Sequence, residues 1–385
     1  MVADRTILFV IVAPLALAGA ACNLASDESV AAPAQATVVP NSTVVSSGNA
    51  VNDALEAVQD APDSEYELAP GGRRIHKSCL HRIPDGGHLD HAKGHILSED
   101  GTVVEQFETC RYKQHVAHIA SSAGQSIEGA PAPLPDTQLY QEWSGAAANR
   151  NAVCLAMDIG GLYCKPWFDS FYGSVQVPDN PTDRGQTIFL WSGLMATTNL
   201  PAGAAVFPLL QPVLQWGPSA AGGGHYWAFG SWYFDASGTA FHTNLTSINP
   251  GDWYVMNTFI SDNLDNTCNS TGSNCHWRVA GRRYSDGAFQ SLDLTSARIP
   301  GTFDAVYRAV LEAYDSSRSS TPACNIYPIN GGTTFANTQA FQPFLNATDY
   351  RHLSQNWQAV THNVMPYCYG QTIGNQTDTV LYFYQ

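Results

Sequence analysis

The chain has 385 residues, enough for two or three domains, and a formal charge of −15. That charge excludes the basic surface on which nucleic-acid binding depends. Only 13% of the residues are charged, whereas glycine and aromatic residues are abundant, a composition typical of an exported all-β protein.

The N-terminus carries a targeting segment. An apolar run over 7–21 ends in small residues and is too short for a membrane span, so we predict a signal peptide over 1–21. The small residues stop at Cys22, which resembles the lipidated cysteine of a bacterial lipoprotein. Membrane anchoring through Cys22 and free secretion both stay open. In either case we expect the protein in the cell envelope or outside the cell.

Two segments of different composition follow. Residues 22–70 have no sustained apolar face and predict a flexible linker. Residues 71–118 hold seven of the twelve histidines, and their turn signals predict a small β module, propeptide-like, closed by a disulfide. No histidine pair has the spacing of a known metal motif, which favours a solvated surface over a metal site. Sensing of pH is a third interpretation of these histidines.

The cysteines suit an oxidising compartment. Without Cys22 their number is eight, an even number consistent with disulfides. As a hypothesis, we pair neighbours along the chain: Cys79–Cys110, Cys154–Cys164, Cys268–Cys275 and Cys324–Cys368.

The remainder of the chain predicts one large β domain. Residues 119–136 end in a Pro-rich stretch and form a second linker. From 137 to 385, strand-like runs rich in aromatic and β-branched residues alternate with turn signals at short spacing. This pattern predicts a β-sandwich or jelly roll. We expect a monomer.

An apolar strand-like run over 207–217 carries two glutamines, Gln211 and Gln215. Because side chains alternate along a strand, both amides and Val213 between them point to one face. The two amides either hydrogen-bond within a core or line a groove.

A series of short motifs follows in a fixed order: FYGSVQVP from Phe171, TIFLWSG from Thr187, LQ at 210–211, WAFGSWYF from Trp227, NPGD from Asn249, RAVLEAY from Arg308 and YPINGGTTF from Tyr327. In order and spacing, over about 170–336, these motifs resemble the glutamic peptidase (eqolisin) family. The neprosin-like glutamic peptidases are a near alternative. Either resemblance implies a jelly-roll β-sandwich. One departure is the family's strand glutamate, which is absent around Gly230 and Ser231.

The resemblance implies an endopeptidase that acts on polypeptides at acid pH without a cofactor or metal. Glu312 matches the catalytic glutamate and Gln211 the catalytic glutamine, with Gln215 as its substitute because Trp216-Gly217 follows it. Such a dyad is chemically sufficient. One carboxylate can take a proton from water and pass it to the leaving amine, and an amide can stabilise the oxyanion.

Other interpretations of these residues remain. On a helix, Glu312 would be a solvated partner of Arg308, four residues away. A buried glutamine is commonly a satisfied core amide. Four tryptophans are predicted to bound a substrate groove: Trp191, Trp232, Trp216 and Trp227. The same aromatic residues suit a non-catalytic β-sandwich that binds glycan or protein at the cell surface.

Overall fold

The computed structural model describes residues 59–113, 115–116, 140–149, 167–201, 203–261, 275–295, 299, 301–315, 324–329, 331–343, 350–352, 358–362, 369–373 and 378–383. All of them belong to one compact unit, 54–385. The predicted signal peptide, Cys22 and the linker over 119–136 lie outside the described residues. Across the described ranges no helix has the length and apolar character needed to cross a membrane.

Strands dominate the described part of the chain. In order they are β1 (Tyr66–Ala69), β2 (Arg73–His76), β3 (Leu80–Arg82), β4 (His88–Asp90), β5 (His95–Leu97), β6 (Val103–Gln106), β7 (His115–Val116), β8 (Tyr140–Asn149), β9 (Ser170–Gln176), β10 (Gln186–Thr198), β11 (Leu209–Ser219), β12 (Gly222–Phe234), β13 (Ala240–His242), β14 (Thr246–Ser247), β15 (Trp253–Ile260), β16 (Trp277–Arg283), β17 (Phe289–Thr295), β18 (Thr302–Asp315), β19 (Thr333–Pro343), β20 (Tyr350–His352), β21 (Gln358–His362), β22 (Tyr369–Ile373) and β23 (Thr379–Phe383). Short 3-10 helices span Asp63–Glu65, Lys77–Cys79 and Cys324–Ile326.

The strands form two large sheets and a small one. The front sheet has nine strands in the order β21-β8-β18-β10-β11-β12-β13-β3, with β14 paired to β12. The back sheet has eleven strands in the order β22-β23-β19-β9-β15-β16-β17-β4-β5-β6, with β20 paired to β19. Strands β1, β2 and β7 form the small sheet. The expected all-β sandwich architecture is confirmed.

The front sheet buries both of its faces, and β10 shows how. Ile188 and Leu190 point inward and join a core cluster with Tyr254 of the back sheet. Phe189 and Trp191 point the opposite way, because successive side chains of a strand alternate between faces. We call the side that carries Phe189 and Trp191 the outer face of the front sheet.

Residues 59–113, which we call the N-terminal segment, cover that outer face and also extend both large sheets. Ala69 of β1 and Ile75 of β2 pack in one cluster with Trp191. Strand β3 pairs with β13 of the front sheet, and β4 pairs with β17 of the back sheet. Strands β1 and β2 form an antiparallel hairpin, Tyr66–His76, which we call the cap hairpin. The division of the chain at 71, 118 and 137 stays a prediction.

The predicted disulfide between Cys79 and Cys110 is present. Cys275 and Cys324 also take part in disulfides. The other predicted pairs involve four cysteines outside the described residues: Cys154, Cys164, Cys268 and Cys368.

Candidate functional site

Glu312 lies on a strand, so the helical interpretation of its segment is wrong. Strand β18 pairs antiparallel with β10 on one side and with β8 on the other, and Glu312 is directly opposite Phe189 of β10. The apolar and β-branched side chains of β18 fit a strand buried on both faces, which reads as a nearly continuous apolar run. Glu312 itself is fully buried on the outer face of the front sheet.

Three groups donate hydrogen bonds to the Glu312 carboxyl group. Trp191 Nε1 donates to Oε1 at 2.9 Å, and the Tyr314 hydroxyl donates to Oε2 at 3.1 Å. The backbone N–H of Gly71 lies 3.0 Å from each carboxyl oxygen. Hydrogen bonds to a charged acceptor are stronger than neutral ones, and all three donors suit an ionised carboxylate.

Burial nevertheless outweighs these donors. Desolvation raises the pKa of Glu312 from 4.5 to about 7, although hydrogen bonds from Trp191, Tyr314 and the backbone of the hairpin turn oppose the shift. The pKa of Tyr314 is also raised, well above its usual value, by burial and then by the adjacent Glu312 charge. Glu312 is therefore a carboxyl group whose ionisation falls in the neutral pH range, as is common at catalytic sites.

The turn of the cap hairpin sits against this carboxyl group. Gly71 adopts a φ of +81° and Gly72 a φ of +69°, in the left-handed region that favours glycine. A Cβ atom added at Gly71 would lie 2.9 Å from Leu209 Cδ2 and 3.6 Å from Gln211 Nε2. The Gly71 backbone thus contacts Glu312, and a side chain at this position would reach Leu209 and Gln211.

The two glutamines have different environments. Gln215 Nε2 donates to the carbonyl oxygens of Gly217 and Gly222 at 2.7 and 2.9 Å, and its Oε1 accepts from the Ser219 hydroxyl. These bonds tie together the turn between β11 and β12. Gln211 is fully buried, and neither its Oε1 nor its Nε2 has a hydrogen-bond partner among the described residues.

The register separates the glutamines further. Strand β10 lies between β11 and β18, and Gln215, Phe189 and Glu312 share one row across the three strands. The Phe189 side chain occupies the position between Gln215 and Glu312 in that row. Gln211 lies four residues away along β11, close to Gly193 of β10, where an added Cβ would be 3.1 Å from Gln211 Cβ. The amide with unused hydrogen-bonding groups is therefore the one nearest to the hairpin turn.

The four predicted tryptophans divide between the two faces of the front sheet. Trp191 binds Glu312, and Trp232 pairs directly with Gln211 across the strands on the outer face. Trp216 and Trp227 lie 5.7 Å apart, ring centre to ring centre, in the core between the large sheets. They point to the opposite side from Glu312 because Trp216 is one residue from Gln215 and strand side chains alternate.

Sequence reasoning did not identify two residues of this site: Gly71 and Tyr314. Tyr314 follows Glu312 by two positions, so strand alternation places it on the same face and could have revealed it. Nothing in the sequence connects the glycines of the hairpin turn with a carboxyl group 241 residues further along the chain.

Several histidines of the N-terminal segment form pairs with carboxylates. His76 pairs with Glu65 at 2.8 Å, and His81 pairs with Glu105 at 2.7 Å. His91 reaches across to Asp235, the residue after β12, at 3.1 Å. Among the residues that the structure describes, no group of three or more His, Cys, Asp or Glu side chains could hold a metal ion.

Comparisons with known proteins add distant structural likenesses. No family model matches the chain, and no curated protein matches it. Among solved structures it is similar to scytalido-glutamic peptidase bound to a peptide-based transition state analogue, at 10% identity and a TM-score of 0.35. It is also similar to SCP-B, a member of the eqolisin family bound to the tripeptide Ala-Ile-His, at 10% identity and a TM-score of 0.34. Each likeness covers 64% of this chain and 100% of the other.

The raised pKa of Glu312 predicts how stability changes with pH. An unfolded chain ionises this group near pH 4.5 and the folded chain near pH 7, so the folded state binds more protons in between. Ionisation of Glu312 should therefore lower the free energy of unfolding as the pH rises through this window, by about 3 kcal/mol. The variant Glu312→Gln does not ionise, so its stability relative to wild type should increase by about that amount between pH 4.5 and pH 8.

Urea unfolding of both proteins at several pH values measures this difference. Glu99→Gln is the matched control, because Glu99 is exposed and should show little change. A difference between Glu312→Gln and wild type that stays constant from pH 4.5 to pH 8 would contradict the burial argument.

Proposed function

We propose that the chain is a latent glutamic-type peptidase that hydrolyses peptide bonds of polypeptides, with Glu312 and Gln211 as its catalytic pair. One observation carries the proposal: Glu312 and the unpartnered Gln211 amide are buried on one face of the front sheet. The Gly71 N–H donates to Glu312, and a Cβ atom added at Gly71 would lie 3.6 Å from Gln211 Nε2. In this proposal, the main-chain amide of Gly71 takes the place of a substrate peptide bond.

The proposed chemistry needs the cap hairpin to leave. Water and a substrate carbonyl group then enter between Glu312 and Gln211. The ionised Glu312 takes a proton as water attacks the carbonyl carbon, and the Gln211 N–H groups stabilise the oxyanion. Glu312 returns the proton to the leaving amine. Trp191 and Tyr314 hold the carboxyl group in place through their hydrogen bonds.

The cap hairpin would block the reaction in two ways. It fills the place of the substrate, and it keeps water away from Glu312. With the hairpin in place the pKa of Glu312 is about 7, so in acid the group is protonated and cannot serve as a base. When the hairpin leaves, hydration of the carboxylate should lower this pKa and restore the base.

The proposal includes an exported, monomeric protein that acts at acid pH in the cell envelope or outside the cell, with anchoring through Cys22 as one option. The Cys79–Cys110 disulfide agrees with an oxidising compartment. Few charged residues, 13% of the chain, leave few ion pairs to lose in acid, which supports a fold that tolerates low pH.

Substitution of the catalytic pair tests the proposal. With the full chain incubated at about pH 3–4 and a denatured protein as substrate, Glu312→Gln should lose activity by more than about 1000-fold because it cannot accept a proton. Gln211→Ala should lose about 100-fold, the usual effect of removing an oxyanion donor. Gel and mass analysis of the cleaved substrate provides the measurement.

Two exposed residues serve as matched controls. Glu99→Gln and Gln176→Ala make the same chemical changes on the surface and should keep wild-type activity. Equal activity of wild type, Glu312→Gln and Gln211→Ala would rule out this pair as the catalytic residues.

A bulky residue in the hairpin turn should open the site. In Gly71→Val, the new side chain collides with Leu209 Cδ2 and the left-handed backbone is strained, so the cap hairpin should dissociate more readily. The full-length variant should cleave a denatured substrate without a lag, whereas wild type should show a lag while the hairpin dissociates. Time courses of substrate cleavage measure this lag.

A control variant separates the effect of the side-chain collision in Gly71→Val from the effect of backbone strain. Gly101 has a φ of +83° and nothing within 4 Å of an added Cβ atom, so Gly101→Val shares the strain only. We expect Gly101→Val to keep the wild-type lag. Identical time courses for both valine variants would argue against a blocking role of the hairpin.

A second candidate function, glycan binding, has its own observation. A cavity of about 630 Å³ opens on the back sheet beside Tyr172, Trp253 and Tyr284, with Asn257 and Asn337 in its wall. Aromatic faces beside side-chain amides suit the stacking and hydrogen bonding of a sugar chain. This cavity does not include Glu312 or Gln211, so both functions can be tested independently.

Titration with neutral oligosaccharides tests this candidate. Cello- and chito-oligosaccharides should quench tryptophan fluorescence with dissociation constants in about the millimolar range or tighter, and Trp253→Ala should weaken binding at least about tenfold. Phe289→Ala removes an exposed aromatic ring outside the cavity and should bind as wild type does. Absence of binding by wild type would rule out recognition of these sugars at this cavity.

A further inference from the structure

The cap hairpin places an arginine side chain deep inside the site. Arg73, two residues after Gly71, is only 1% exposed. Its Nη2 donates to the carbonyl oxygen of Phe207 at 2.6 Å, and its guanidinium carbon lies 4.5 Å from the ring centre of Phe234. Both contacts belong to the front-sheet side of the site and not to the hairpin.

The surroundings of Arg73 suit a planar cation. Burial lowers the pKa of Arg73 to about 10, although the carboxylates of Glu312 and Asp235 attract its charge and oppose this shift. The group is therefore charged at acid and neutral pH. Its Nε and Nη1 have no hydrogen-bond partner among the described residues, and its close contacts are the Phe207 carbonyl oxygen and the Phe234 ring.

These recognition groups stay behind when the hairpin leaves. The Phe207 carbonyl precedes β11, Phe234 is the last residue of β12, and Asp235 follows it. They would then form an open pocket beside Glu312, with an aromatic floor, a carbonyl acceptor and nearby negative charge. A guanidinium group stacks on such a ring through its plane, whereas an ammonium group is a hydrated point charge.

We propose that the Arg73 pocket is a substrate subsite for an arginine side chain, so that the peptidase selects polypeptides with arginine close to the cleaved bond. This inference rests on the proposed peptidase function. The hairpin occupies the subsite with its own arginine while its turn occupies the position beside Glu312.

Paired substrates test the specificity. We would measure kcat/KM of the full-length Gly71→Val variant, in which the hairpin is displaced, for fluorogenic peptides that differ only in arginine, lysine or citrulline at one position, scanned along the peptide. At one position arginine should exceed citrulline, its neutral analogue of equal shape, by at least about tenfold. Phe234→Leu should reduce that ratio, and Phe289→Leu, on an exposed aromatic residue, should preserve it. Cleavage of arginine and citrulline peptides at equal rates at every position would overturn the subsite and leave the peptidase function standing.

A stability measurement tests the pocket without any activity. Arg73→Ala in the full chain should lower the melting temperature, and millimolar ethylguanidinium should restore part of it by filling the vacated pocket. Ethylurea, which has a similar shape and no charge, should not. Arg74→Ala is the control, because Arg74 is partly exposed and binds the Asp63 carbonyl, so ethylguanidinium should leave its melting temperature unchanged.

Equal effects of ethylguanidinium and ethylurea on Arg73→Ala would overturn the proposal. If Arg73→Ala does not fold, Arg73→Lys replaces it in this experiment. A melting temperature of Arg73→Lys equal to that of wild type would also overturn the proposal. Failure of all peptide cleavage combined with specific rescue by ethylguanidinium would refute the peptidase function and keep the guanidinium pocket.

Discussion

A buried carboxyl group governs the outer face of the front sheet. Glu312 has no contact with water, and its charge is stabilised by Trp191, Tyr314 and the backbone of Gly71. These donors do not fully replace hydration, and the pKa of Glu312 remains raised to about 7. Covering and uncovering this face must therefore change the ionisation of Glu312, and each ionisation state must favour one of the two arrangements.

Strand pairing and the cap hairpin position the groups around Glu312. Pairing of β18 with β10 fixes Glu312 in the centre of the front sheet, and pairing of β10 with β11 places Gln211 on the same face. The cap hairpin closes over both through a turn that needs glycine for its left-handed backbone and for its close approach to Leu209. The Arg73 side chain then anchors the hairpin, in a pocket whose contacts belong to the other side of the site.

Sequence reasoning was reliable for local features. Turn signals and aromatic runs predicted the strands, the order of motifs favoured a strand at Glu312, and neighbouring cysteines predicted the Cys79–Cys110 bond. Strand alternation also implies that Trp216 faces away from Gln215. The prediction that all four tryptophans bound one groove did not take this into account. The choice between the glutamines was beyond sequence, because both share one face. They differ in the structure, through the hydrogen bonds of Gln215 and its place in the row of Phe189.

Contacts between distant segments were not accessible from sequence. Gly71 and Glu312 are 241 residues apart, and neither shows a pattern that marks the other. The N-terminal segment looked like an independent module because its composition differs from that of the following chain. In the structure its short strands β3 and β4 extend the two large sheets. Composition describes solvation and charge, whereas strand pairing depends on backbone groups that every residue carries.

The ionisation of Glu312 in the closed and open states provides the most direct test. Carbon-13 NMR of the glutamate side-chain carboxyl carbons, assigned with Glu312→Gln, would follow its titration in the full chain and in Gly71→Val. The account predicts a pKa of about 7 in the closed chain and a clearly lower value in the opened variant. A pKa near 4.5 in both proteins, or an unchanged raised value after opening, would contradict it.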